Sequence, residues 1–196
     1  MVGYPNQKRS YERPRQSQSG RGMKFEEAIN ETNDYYRTHD IAVVHKKPIP
    51  IQIVQVDYPS RSGAVIKEAY YQIPSTTDYN GIYQGRYLDF EAKETQNKTN
   101  FPLKNIHTHQ IEHLLSIERH GGIAFVLIHF KSIGEILLLE ASRLGEFHQR
   151  ALNGGRKSIH IDELRQVGYV IAEGYAPRIP YLKVVDHLID RASNAE

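Results

Sequence analysis

Thr77-Asp78, a short connection, and then Tyr87-Leu88-Asp89-Phe90-Glu91-Ala92-Lys93 form the stretch on which the fold turns. Side chains alternate across a strand, so Asp89, Glu91 and Lys93 share one face while Leu88, Phe90 and Ala92 take the other. The apolar triplet has a reason to enter a core. The charged triplet includes an acid and a lysine two residues apart, with Cα atoms roughly 7 Å apart from two strand rises. Two carboxylates for a divalent cation and a lysine facing developing negative charge are what phosphodiester hydrolysis needs. A solvated charged strand face shows the same alternation.

Working outward, the segment Ile82–Glu94 is expected to be a hairpin turning at Gln84-Gly85, with the charged triplet on its second strand. Upstream, Phe25, Ala28, Ile29, Thr32, Tyr35 and Tyr36 fall on one side of a helix predicted from Met23 to His39. Glu26 lies on the flank of that stripe, where it could join Asp78, Glu91 and Lys93 at a sheet edge. Ile41–Val44 reads as a buried strand, broken by Pro48 and Pro50. Residues 51–71 are turn-rich, carry Arg61 and Lys67, and read as a strand-like projection. Downstream, Thr108 is placed to cap a helix ending at Gly121-Gly122. Ile123–Phe130 is a nearly all-apolar central strand, and Glu135–Glu140 another. Helices are expected at Ser142–Leu152, Asp162–Val167 and Tyr181–Arg191. The mixture argues for an α/β sheet with helical cover.

Composition narrows the chemistry. The 196 residues suit one domain with appendages. They include no cysteine, which removes disulfides, thiolate nucleophiles and Cys-based zinc sites. No apolar run reaches the roughly 20 residues of a membrane span and no secretory h-region is evident, so a cytoplasmic protein is expected. Net charge is only +2, but the basic residues cluster. Lys8, Arg9, Arg13, Arg15 and Arg21 stand against Glu12 alone within residues 1–21, which lack apolar periodicity and read as a flexible basic arm. Lys93, Lys98 and Lys104 form a second basic stretch. Both can neutralise phosphates.

Two further motifs are set aside. His109-Gln110-Ile111-Glu112-His113 matches the H-x-x-E-H zinc motif, but Ile111, Leu114 and Leu115 place both histidines on the opposite, solvent side of the helix. Gln110 sits at the stripe boundary, within reach of an active-site edge. Asn153-Gly154-Gly155-Arg156-Lys157-Ser158 lacks the spacing of a phosphate-binding loop and reads as a basic turn after a helix. Thirteen tyrosines form no base-stacking stripe.

Arg21–Glu26, His45–Pro48, Asp57–Ser62, Ser75–Gly81, Asp89–Thr95, Phe101–Asn105, His109-Gln110 and Gly174–Arg178 resemble the RecU-type Holliday-junction resolvases. The resemblance runs from Gly22 to the last helix and implies a restriction-endonuclease-like mixed sheet flanked by helices, with a PD-(D/E)xK-type site. It implies Mg²⁺, with Mn²⁺ substituting, held by Thr76, Asp78, Glu91 and Gln110. Lys93 would stabilise the transition state, and Glu26 matches the superfamily's helix glutamate. The usual proline before the acid is here Thr77. Residues 22–196 would be the nuclease domain, and about 51–71 a stalk whose functional arginine is Arg61. Lys46, Lys47, Arg61, Lys98, Lys104, Arg13, Arg15 and Arg21 are the expected DNA contacts. The implied partners are four-way junction DNA, a second copy in a homodimer, and recombinase and branch-migration machinery. A duplex or flap endonuclease with the same site, and a non-cleaving junction-binding protein that modulates a recombinase, stay open as alternatives.

Overall fold

A computed structural model of the chain describes residues 24–48, 50–60, 63–71 and 76–194. Its centre is β7 (Ile123–Phe130), the strand with the most continuous apolar run. Its neighbours are β5 (Arg86–Thr95), parallel to it, and β8 (Glu135–Glu140), antiparallel. With β1 (Val43–Lys46), β4 (Tyr79–Tyr83) and β10 (Tyr169–Ile171) they form a six-stranded mixed sheet of order β1-β4-β5-β7-β8-β10.

Alternation along β7 divides the core. Phe125 and Leu127 face a cluster that includes α1 (Phe25–Thr38) and α5 (Leu182–Ser193); Tyr79, Phe90, Phe125 and Tyr181 stack there with ring centroids 4.8–6.0 Å apart. Ala124, Val126 and Ile128 face the other cluster, under α2 (Thr108–Arg119), α3 (Ala141–Leu152) and α4 (Ile161–Val167). The result is a mixed sheet covered by helices on both faces.

The β4–β5 hairpin turns through Gln84 and Gly85, both at positive φ (48° and 72°). Paired left-handed residues match the twist of the flanking strands, which is why Gly follows Gln here. β2 (Ile51–Ser60) and β3 (Gly63–Tyr71) pair antiparallel into a separate two-stranded ribbon. Its apolar side chains, among them Ile51, Ile53, Val54, Val65 and Ile66, are exposed.

Several expectations are corrected. The first strand begins at Val43 rather than Ile41, and as an edge strand it buries only alternate residues. Ala42 and Val44 enter the core while Ile41 and Val43 stay exposed. His107, not Thr108, is the cap of α2, because the Gln110 side chain accepts its backbone N–H at 3.1 Å. The three-residue strands β6 (Asn100–Pro102), β9 (Ser158–His160) and β10 were missed. The predicted start of α1 at Met23 and the basic residues Arg13, Arg15, Arg21 and Arg61 lie outside the described residues.

Candidate active site

β5 sends Leu88, Phe90 and Ala92 into the α1/α5 core, so its opposite parity must face the α2 side. There Asp89 and Glu91 are fully buried, and Lys93 is half-buried. Glu91 meets Asp78 through the backbone: Asp78 N donates to Glu91 Oε2 at 3.1 Å, and Ala92 N donates to Asp78 Oδ2 at 3.4 Å. On its other side, Lys93 Nζ lies 2.5 Å from Glu91 Oε1 as an ion pair. That oxygen is buried, and Lys93 is its charged partner. Burial, then the charge of Asp78, pushes the Glu91 carboxyl up to about 7, against the lowering pull of Lys93. Asp78, Glu91 and Lys93 therefore form one contiguous set.

Other candidates fall differently. Gln110 is buried, with its oxygen accepting from His107; Thr76 is half-buried in the turn before β4. Among the described residues neither has a hydrogen bond to Asp78, Glu91 or Lys93. Among the described residues Glu26 has no hydrogen bond or ion pair to Asp78, Glu91 or Lys93. It projects from α1 in the opposite helical layer, stays about half exposed, and pairs with Lys46. It remains within electrostatic reach, since Glu26, Asp78 and Glu91 each help burial raise the Tyr79 phenol. Lys46 is thus engaged by Glu26 rather than free. Lys47 is only 18% exposed and donates to Asp89 Oδ2 and Thr77 Oγ1, both at 2.8 Å, so it is not an open surface cation. Lys98 and Lys104 are exposed.

Two side chains carry more than the sequence reading assigned to them. Asp89, which the sequence places on the charged face of β5 without a role of its own, is a fully buried hub that accepts from Thr77, Lys47 and Tyr87. His113, expected in water, turns its Nε2 into the protein, 3.4 Å from Asp89 Oδ2. Leu115 is only partly buried and lies against Gly145 of α3, while Gln110, Ile111 and Leu114 are the buried residues of α2, so His113 stands at the flank of that face. Among the described residues no three His, Asp or Glu side chains by themselves form a metal cluster. The donor set is two carboxylates, which suits a hard divalent cation that keeps waters and substrate phosphates as its other ligands.

A helix-covered mixed sheet with two carboxylates and a lysine meeting on one buried strand face defines an α/β protein of the nuclease class. The family model described as Recombination protein U matches residues 20–187. Relatives named Holliday junction resolvase RecU include one from Geobacillus sp. (strain WCH70), 58% identical over 89% of this chain and 87% of its own length. Those from Bacillus cereus (strain B4264) and Bacillus thuringiensis (strain Al Hakam) are 55% and 54% identical, each over 94% of this chain and 96% of the relative. The chain belongs to the RecU family, and with it is an enzyme, a nuclease.

Proposed function

We propose that this chain is a Mg²⁺-dependent, structure-selective endonuclease that resolves Holliday junctions by paired symmetric nicks in recombination and repair. The observation that carries the reading is the fully buried Glu91 bonded to the half-buried Asp78, with Lys93 alongside. An anion pair raised in energy by burial and mutual repulsion is relieved by a divalent cation, which favours metal binding at this place. Asp78 and Glu91 would hold it, with Thr76 and Gln110 contributing neutral oxygens. When bound, such a cation polarises the scissile phosphate and lowers the pKa of the attacking water.

The chain's own groups do the rest. Asp78 and Glu91 are fixed relative to one another by the backbone bonds at Asp78 and Ala92, so the reacting phosphate meets a preformed pair. Lys93, anchored by Glu91, faces the charge that builds on the phosphate oxygens or orients the water. The core is read as restriction-endonuclease-like. The exposed β2–β3 ribbon is read as the stalk entering an open junction, and Lys98 and Lys104 as phosphate contacts that position it. Two nicks across a junction need two sites related by a two-fold axis, which favours a homodimer. Recombinase and branch-migration machinery are the further partners, and the working compartment is the cytoplasm.

The test is a nicking assay on a mobile four-way junction, with and without Mg²⁺, for the wild type and Asp78→Asn. Paired incisions by the wild type in Mg²⁺ are expected. The variant should bind the junction at least as well and leave it uncut. Absence of incision in Mg²⁺ and Mn²⁺ with binding intact would sink the enzyme reading. Equal cutting of linear duplex of the same sequence would reassign it to a duplex nuclease.

A further inference from the structure

Asp89 shares a strand face with Glu91 and Lys93 but has no part in the chemistry above. It is fully buried, and a buried carboxylate needs partners. Thr77 donates its hydroxyl to Oδ1. Lys47 Nζ donates to Oδ2 at 2.8 Å and the Tyr87 hydroxyl to the same oxygen at 2.9 Å. His113 Nε2 faces it at 3.4 Å.

The bonds close into a ring. Lys47 Nζ also donates to Thr77 Oγ1 at 2.8 Å, so Thr77 accepts from the lysine and donates to the acid, as one hydroxyl can. From the same lysine the backbone N–H donates to the Asp78 carbonyl at 2.7 Å. Asp89 therefore ties the loop after β1 to the turn before β4, and that turn carries Asp78. Such a tether has work to do. Asp78 and Glu91 repel one another, and the backbone bonds that hold them together, Asp78 N–H to Glu91 at 3.1 Å and Ala92 N–H to Asp78 at 3.4 Å, are long. A third group that restrains the turn works against that repulsion alongside those bonds.

We propose that Asp89 is a positioning residue: with Lys47 and Thr77 it forms a clamp that holds the Thr77–Asp78 turn so that Asp78 and Glu91 meet a divalent cation as a preformed pair. The proposal rests on the nuclease reading above. It assigns to Lys47 an internal role in place of a phosphate contact. Outer partners of this kind orient the ligands they touch, and their loss typically lowers metal affinity about 10–100-fold.

The experiment compares the full-length wild type, Asp89→Asn, Lys47→Met and the double variant. Mn²⁺ affinity is measured without DNA from the electron paramagnetic resonance signal of the free ion, folding by near-ultraviolet circular dichroism, and junction incision against Mg²⁺ concentration. Each folded single variant is expected to bind Mn²⁺ about tenfold more weakly or worse. Each should need correspondingly more Mg²⁺ for half-maximal incision, with metal-free junction affinity unchanged. The double variant should be little weaker than the weaker single, because a broken clamp cannot be broken twice. Wild-type Mn²⁺ affinity in the folded variants, or fully additive losses, would overturn the clamp. Should Asp89→Asn fail to fold, Lys47→Met and Thr77→Val decide the matter on the same readout. A wild type that neither binds Mn²⁺ nor incises overturns the nuclease reading and the clamp with it. One that does both, beside variants of unmoved affinity, overturns the clamp alone.

Discussion

Replacing Glu91 by glutamine should disable the enzyme and stabilise the metal-free protein in one step. The carboxyl lies at about 7 instead of the ordinary 4.5, because it is buried and stands against Asp78. At about 1.4 kcal/mol per pH unit, ionising it in the folded state costs on the order of 3 kcal/mol more than in the unfolded chain. The sign follows from linkage. An acid whose folded pKa is raised contributes stability that is fully present below pH 4.5 and is lost as pH rises through about 7. Metal-free wild type should therefore weaken more between those limits than Glu91→Gln, which is neutral throughout at that position and of the same shape. Part of the gain is offset by leaving Lys93 without its partner, so an increase of about 2 kcal/mol at pH 8 is expected, or roughly 4–8 °C in melting temperature for a chain of this size. The assay is thermal and denaturant unfolding in chelator from pH 4.5 to 8.5, with junction nicking in parallel. Equal pH slopes for the two proteins, or a variant less stable than wild type at pH 8, would refute the account of Glu91 as a buried, repelled anion.

Glu118 carries a similar burden away from the site: burial and the neighbouring Glu140 push its carboxyl up to about 7. Glu118→Gln should raise the melting temperature at pH 8 and lose the advantage near pH 4.5, by the same sign. Gly81→Ala should be among the costliest single changes in the sheet. A Cβ there would stand 2.1 Å from the Val43 carbonyl oxygen and 2.7 Å from the Val44 Cα, backbone atoms that cannot yield without parting β1 from β4. About 3 kcal/mol or more is expected, read as lost denaturation midpoint. Phe90→Ala empties the centre of the Tyr79–Phe90–Phe125 stack and should cost about 3–5 kcal/mol in urea unfolding.

The elements legible in the chain are those whose signal is local. A nearly all-apolar run of eight residues after a Gly-Gly stop reads as a central strand, and β7 spans Ile123–Phe130 as read. Gln84-Gly85 set the hairpin turn because few residues tolerate paired positive φ. The strands β6 and β9 were invisible because each has three residues and pairs with a segment about sixty positions away, Asn100 with His160. Within the site, the parity of β5 revealed Glu91 and Lys93 together, since both stand on one strand. The pairing of Glu26 with Lys46 was not legible, because the helix stripe tells where α1 buries and not which strand residue comes to meet it. His113 was misjudged because the roll of α2 depends on where α3 packs.

The motifs carry the family, and alternation along β5, a property of neighbouring residues, separates the charged triplet from the apolar one. What those charges do follows from contacts between distant segments. Glu91 titrates high and Asp89 is a hub because distant segments bury both, and because Lys47, Thr77, Asp78 and His113 come to meet them. Burial and charge proximity are set by the packing of whole elements, and no local pattern in the chain encodes them.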